Sequence, residues 1–344
     1  MDILENPWVG TGLDESVLAG APWPSTDAAA PEALLARCPV AAETPLLALS
    51  GFGPEVLAKD ERARMGLGSF KALGAAYVIA QEALATGTED LSRALSGRTY
   101  VTASAGNHGL SVAAGARVFG AAAEVHIADT VPEGFADRLR AKGARVVRSG
   151  ADYEAGMEAA QQAAHTEGAI LLSDSSWPGY FDRPHRLMEG YLAMAAEITR
   201  QMPQPPTVIL LQAGVGGLAG ACAAFFRAAW GDAPRIVVVE PAAAPALAES
   251  IRAGRPVATT GPVSAMGRLD CKAPSLIALK GLARDADAFA TITEDEAAAA
   301  LPRLAARGAA TSESGAAGVA ALMQMDLPAD ARVLCILSEE AETA

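Results

Sequence analysis

From about residue 70 onward, short aliphatic or β-branched runs alternate with longer Ala-rich stretches of helical period. That alternation is the pattern of a parallel sheet covered by helices, so the expected fold class is α/β. Runs at 99–103, 124–128, 145–148 and 169–173 predict the strands of one lobe. After the Pro-rich stretch 202–206, runs at 207–212, 235–240, 288–292 and 332–337 predict a second, with the Pro-rich joint as the lobe boundary. Residues 1–50 hold several Pro and Gly and one helix around 30–36, and are expected to form an irregular arm.

Composition narrows the function classes. Of 344 residues, 51% are hydrophobic and the net charge is −13, which supplies a core and argues against nucleic acid or anionic lipid as a partner. Cys38, Cys222, Cys271 and Cys335 lie far apart with no C-x-x-C spacing, which fits a reducing cytoplasm rather than a disulfide or zinc scaffold. Apolar stretches are broken by Gly, Pro or charge before a spanning length, so no membrane association is expected. No histidine spacing makes a metal site, and no catalytic metal is predicted.

In parallel sheets ligands sit beyond the carboxyl ends of the strands, which singles out three segments. Gly214-Val215-Gly216-Gly217-Leu218 follows the run 207–212 and enters a helix. Its backbone N–H groups suit a phosphate. The same glycines satisfy the relaxed dinucleotide fingerprint, with Glu240 placed for a ribose, so a nicotinamide-dependent dehydrogenase or a non-catalytic nucleotide-binding module stays open here.

Ser104-Ala105-Gly106-Asn107-His108 follows the run 99–103 and precedes a helix expected from near Leu110. Its donors suit a carboxylate and a ring oxygen, although taken alone the loop reads better as a plain capped helix, with Asn107 as the cap and His108 as a satisfied buried imidazole. Finally, Gly66-Leu67-Gly68-Ser69-Phe70-Lys71 opens a helix expected to run to about Ala85. Among five lysines, only Lys71 has an apolar, Gly-rich setting, where a desolvated amine becomes a nucleophile or base; a snorkelling lysine is the bland alternative.

An amine nucleophile, a phosphate loop and an Asn-bearing helix start together describe a pyridoxal phosphate site. At these motifs the chain resembles the fold-type II pyridoxal phosphate enzymes, which include threonine dehydratase and serine racemase. Within them it is similar to the diaminopropionate ammonia-lyases, through Met65 to Lys71, Asp174-Ser175-Ser176-Trp177-Pro178-Gly179-Tyr180, and Ala265-Met266-Gly267-Arg268-Leu269-Asp270-Cys271.

The resemblance implies a large cofactor domain of residues 1–75 and 205–344 and a small substrate-carboxylate domain of residues 76–204. It implies that Lys71 carries the cofactor covalently, with Phe70, Asn107, the loop Gly214 to Leu218 and Ser338 around it. Ser338 would face the pyridine nitrogen. Ser104, Ala105, Gly106 and His108 would hold the substrate carboxylate, while Lys71, Asp174 and Ser69 would serve catalysis. The expected reaction is α,β-elimination from a small L-amino acid such as 2,3-diaminopropionate, giving a keto acid and ammonia in a homodimeric enzyme; L-serine or L-threonine dehydration is the alternative.

Two departures stand out. Ala105 occupies the position of an aspartate that the ammonia-lyases use as the base for D-substrates. The end, Ser338-Glu339-Glu340-Ala341-Glu342-Thr343, places Glu340 where that family has glycine.

Overall fold

In the computed structural model, which describes residues 1–151, 153–166 and 168–341, the aliphatic runs pair into two sheets. Eleven strands form: β1 (Asp2–Glu5), β2 (Leu46–Ala48), β3 (Glu55–Asp60), β4 (Thr99–Ala103), β5 (Ala122–Ile127), β6 (Ala144–Arg148), β7 (Ile170–Leu171), β8 (Val208–Gln212), β9 (Arg235–Pro241), β10 (Ala288–Ile292) and β11 (Arg332–Leu337). The larger sheet runs β1-β10-β9-β8-β11-β3-β2 and the smaller β6-β5-β4-β7. All pairings are parallel except those of β1 with β10 and β2 with β3.

Helices cover both sheets: α1 (Ala29–Leu35), α2 (Ala75–Leu84), α3 (Asn107–Val118), α4 (Glu133–Ala141), α5 (Tyr153–Thr166), α6 (Asp182–Gln201), α7 (Gly217–Trp230), α8 (Ala246–Ala253), α9 (Leu276–Asp285), α10 (Glu294–Ala305) and α11 (Glu313–Leu322). β8 is buried at every position, as expected of a central parallel strand covered on both faces. One apolar cluster joins Tyr100 and Val125 of the small sheet to Leu211 and Val238 of the large one. Among the described residues no helix is long and apolar enough to cross a membrane.

Residues 1–50 are more regular than expected. β1 and β2 edge the large sheet, and β1 pairs with β10 from Asp2 opposite Thr291 to Glu5 opposite Ala288. Strand β3, inside the edge strand β2, also departs from expectation. Its sequence, Glu55-Val-Leu-Ala-Lys-Asp, reads as half-polar, yet Lys59 is fully buried. Lys59 Nζ lies 2.6 Å from Glu197, Arg64 bridges Glu197 and Glu61 at 2.7 Å, and Thr44 donates to Glu61 at 2.6 Å. This four-charge cluster joins β3 and the turn after it to α6, and a charge counts as surface until its partner is visible. In the opposite direction, the strand expected over 169–173 shrinks to the two residues of β7.

Candidate active site between the two sheets

The segment Gly66 to Lys71 leaves β3 and crosses to the end of β11. Phe70 donates its N–H to the Ser338 carbonyl at 3.1 Å, and Ser69 bridges to Glu339. Lys71 therefore sits not in a long helix but in a 3₁₀ turn, Phe70–Leu73, ahead of α2. Its ammonium lies 2.5 Å from Asp174 Oδ2, in the loop after β7. Each side chain is about one fifth exposed.

Burial alone would push the Lys71 ammonium down, but the Asp174 carboxylate outweighs it and holds the amine above the ordinary lysine range. Burial likewise opposes ionisation of Asp174, and Lys71 overcomes it to keep that carboxyl below the usual range. Tyr191 of α6 packs its ring edge-on against Phe70, with centroids 4.9 Å apart. The Ser69 hydroxyl is buried without a hydrogen-bond partner.

The glycine loop lies on the far side of the same pair. A Cβ placed on Gly217 would be 3.9 Å from the Asp174 carbonyl oxygen and 3.7 Å from the Tyr191 ring. Gly216 takes a φ of 96° at the start of α7, a left-handed conformation open to glycine, and no side chain caps the helix. A Cβ on Gly214 would stand 2.9 Å from Cys271 Sγ and 3.1 Å from the Arg268 carbonyl. Burial and the neighbouring Asp174 push the Cys271 thiol up to about 12, so it stays protonated.

Across the cleft, α3 begins at Asn107, three residues earlier than expected, with Gly106 in the cap position; Asn107 is therefore not the helix cap. Its amide donates to Glu339 Oε2 at 2.5 Å, and the other Glu339 oxygen accepts from Ser312. Ser104 Oγ accepts from the N–H groups of Gly106 and Gly109 at 3.2 and 3.1 Å, which shapes the loop around Ala105. His108 is buried with Nε2 at 2.8 Å from the Leu172 carbonyl, Nδ1 without a partner, and its protonation disfavoured by burial. Ser338 is buried at the end of β11.

Lys71, Asp174, the loop Gly214 to Leu218 and the loop Ser104 to His108 thus converge, while Tyr191, Cys271, Arg268 and Glu339 join them without having been assigned from sequence. Cys271 and Arg268 lay inside a string already singled out; nothing in the sequence marked Tyr191. Glu240 is occupied elsewhere: both its oxygens accept N–H groups of Leu247 and Ala248 at 2.8 Å, in a fully buried place. It offers no carboxylate to a ribose, which removes the support for a dinucleotide site. Among the described residues no three His, Cys, Asp or Glu side chains gather to hold a metal.

Comparison with known proteins agrees with this geometry. The profile of the family described as pyridoxal-phosphate dependent enzyme matches residues 39–339. The diaminopropionate ammonia-lyase of Salmonella typhimurium is 31% identical over 298 residues, covering 78% of this chain and 73% of that protein. The crystal structure of the Escherichia coli diaminopropionate ammonia-lyase in complex with D-serine superposes with a TM-score of 0.86 at 27% identity, over 98% of this chain and 93% of that one. The same enzyme with an aminoacrylate-PLP azomethine reaction intermediate gives a TM-score of 0.84 at 26% identity, with the same coverage.

The residues present suit pyridoxal phosphate. An uncapped helix start with glycines offers N–H donors to a phosphate, a lysine with restricted solvent access offers an amine to an aldehyde, and the Ser69 hydroxyl is buried without a partner between β11 and Lys71. The chain belongs to the pyridoxal-phosphate dependent enzyme family, as a lyase of the fold-type II architecture with pyridoxal 5'-phosphate as its cofactor.

Proposed function

We propose that this enzyme eliminates the β-amino group of L-2,3-diaminopropionate or a close analogue as ammonia, after which water converts the remaining enamine to an α-keto acid and a second ammonia. The carrying observation is the contact of Lys71 Nζ with Asp174, whose own carbonyl borders the glycine loop. The similarity to diaminopropionate ammonia-lyases supports the substrate class. Bound pyridoxal phosphate supplies an aldehyde for the substrate amine and a ring that withdraws electrons from Cα.

In this reading Gly214, Val215, Gly216, Gly217 and Leu218 would hold the phosphate through backbone N–H groups, and Lys71 would hold the aldehyde. Phe70 and Asn107 would border the ring, and Ser338 would meet its nitrogen with a neutral hydroxyl. The backbone of Ser104, Ala105, Gly106 and His108 would receive the substrate carboxylate. Once the substrate amine replaces it, Lys71 Nζ is a neutral amine and would take the Cα proton. The Asp174 carboxylate then holds the β-ammonium and steadies its departure, and Ser69 Oγ serves proton movement beside Lys71.

The division into residues 1–75 with 205–344 as cofactor domain and 76–204 as substrate domain, a homodimeric assembly and a cytoplasmic location belong to the same proposal. Ala105 favours a second reading, since the string Ser104 to His108 is similar to that of threonine dehydratases: L-serine or L-threonine as substrate. Titrating the purified holoenzyme with L-diaminopropionate, L-serine and L-threonine while measuring keto acid and ammonia decides between them. Ammonia from L-diaminopropionate in preference to the hydroxy amino acids is the expected result. Turnover of none of the three would sink both readings.

A further inference from the structure

Helix α6 meets the turn that carries Lys71 through two neighbouring residues. Gly190 lies so close to the Leu73 carbonyl that no side chain fits there, which lets the helix come against the turn. The next residue, Tyr191, is wedged between the two halves of the cofactor site. A Cβ on Gly74, just after the turn, would stand 2.8 Å from Tyr191 Cε1 and 2.9 Å from its hydroxyl, and one on Gly217 would stand 3.7 Å from Cε2. One edge of the phenol thus faces the lysine turn and the other the glycine loop, with Phe70 packed edge-on against the ring.

Packing accounts for the ring but not for its oxygen. Tyr191 is buried, its hydroxyl makes no hydrogen bond of normal geometry, and a buried hydroxyl in that state costs folding free energy. Four titratable groups face the Lys71 amine: Asp174 from the loop after β7, Tyr191 from α6, Cys271 from the turn beside Gly214, and His108 from α3. Burial disfavours a charge on the last three, and in Tyr191 it outweighs the pull of Lys71, so the phenol keeps its proton. His108 commits Nε2 to the Leu172 carbonyl. An ammonium has three N–H donors, and Asp174 takes one of them at 2.5 Å.

We infer that Tyr191 is a positioning residue for Lys71, its neutral hydroxyl accepting an N–H of the Lys71 ammonium beside Asp174 and so favouring the proton-bearing form of that amine. The inference rests on the role proposed for Lys71, not on the identity of the substrate. An amine whose protonated form has a second acceptor is a stronger base, which takes a proton from Cα more readily and gives it up at higher pH.

Tyr191→Phe keeps the ring between Gly74 and Gly217 and removes only the oxygen. In the cofactor-free protein at about pH 9, acetic anhydride should label Lys71 of the variant about threefold or more faster than Lys71 of wild type, because less of the amine is held as ammonium. The labelling is read peptide by peptide by mass spectrometry, relative to Lys142 at the end of α4. In the holoenzyme, kcat for the amino acid turned over should fall about tenfold with KM nearly unchanged, and the acid limb of kcat should move to lower pH. A ring that only fills space moves neither the labelling ratio nor the limb.

Equal labelling of Lys71 in the variant and in wild type would overturn the assignment, as would an acid limb that stays in place. If the Phe variant holds no cofactor, the labelling comparison alone decides. Lys71→Ala protein that keeps the cofactor colour refutes the proposed role of Lys71, while the labelling ratio still reports whether Tyr191 holds its amine.

Discussion

Lys71 and Asp174 hold each other ionised across the cleft, 2.5 Å apart, and neither would keep its charge so firmly alone. The pair sets a sign for pH dependence in the cofactor-free protein. Lys71 is raised, so its contribution to stability is complete below the unfolded lysine value of about 10.4 and is lost as pH rises through the folded value. Asp174 is depressed, so its contribution is complete above about 3.9 and is lost as pH falls through the folded value. Wild type should therefore exceed Asp174→Asn in urea stability by a constant margin between those limits, and the margin should shrink in acid. A margin that grows in acid contradicts the pairing.

Lys71→Ala should abolish turnover and the visible absorbance of the bound cofactor, because Lys71 is the lysine whose amine meets Asp174 beside the glycine loop. Borohydride-reducible colour in the purified variant would count against Lys71. Asp174→Asn should keep the colour but lower kcat by about 10²-fold or more, the usual size of a lost proton-handling group.

Gly214→Ala puts a methyl 2.9 Å from Cys271 Sγ and 3.1 Å from the Arg268 carbonyl, and backbone cannot move aside as a side chain can. Weakened cofactor binding with little change in secondary structure is expected, measured by equilibrium dialysis and circular dichroism. Cofactor affinity equal to wild type would show that the loop has slack at this point.

Glu197→Ala removes the carboxylate shared by Lys59 and Arg64, leaving two cations facing one remaining acid, Glu61, in a buried place. Breaking a buried ion pair from one side costs about 3–5 kcal/mol. Chemical denaturation should show a loss of that order, larger than for Glu340→Gly. The Glu340 pair with Arg138 is 3.0 Å long but about half exposed, and such pairs contribute at most about 1 kcal/mol.

Ala105 bears no titratable group beside Gly106, so turnover is expected for L-substrates only. Ala105→Asp should raise the rate with D-2,3-diaminopropionate, followed by ammonia release from each enantiomer. Equal wild-type rates on both enantiomers would place a second base elsewhere in the cleft.

Much of the architecture follows from local pattern. Aliphatic runs such as 288–292 and 332–337 became β10 and β11 with the same bounds, because a strand buried on both faces must be apolar throughout and therefore stands out. The glycines at 214, 216 and 217 and the setting of Lys71 were legible for a similar reason: tight turns and close approach restrict residue type.

What escaped the linear reading depends on partners distant along the chain. β3 was hidden by Lys59, which is tolerable in a core only because Glu197, on α6, neutralises it. Asn107 as cap or ligand, and Glu240 as ribose acid or helix-start acceptor, could be separated only by seeing where each oxygen and N–H goes. Residue types and spacing by themselves determined that this chain builds two parallel layers and carries an amine, a glycine loop and an amide-bearing helix start. Folding decided which charges face one another across the cleft, because hydrogen bonds and ion pairs act over a few ångströms while these residues lie a hundred or more positions apart.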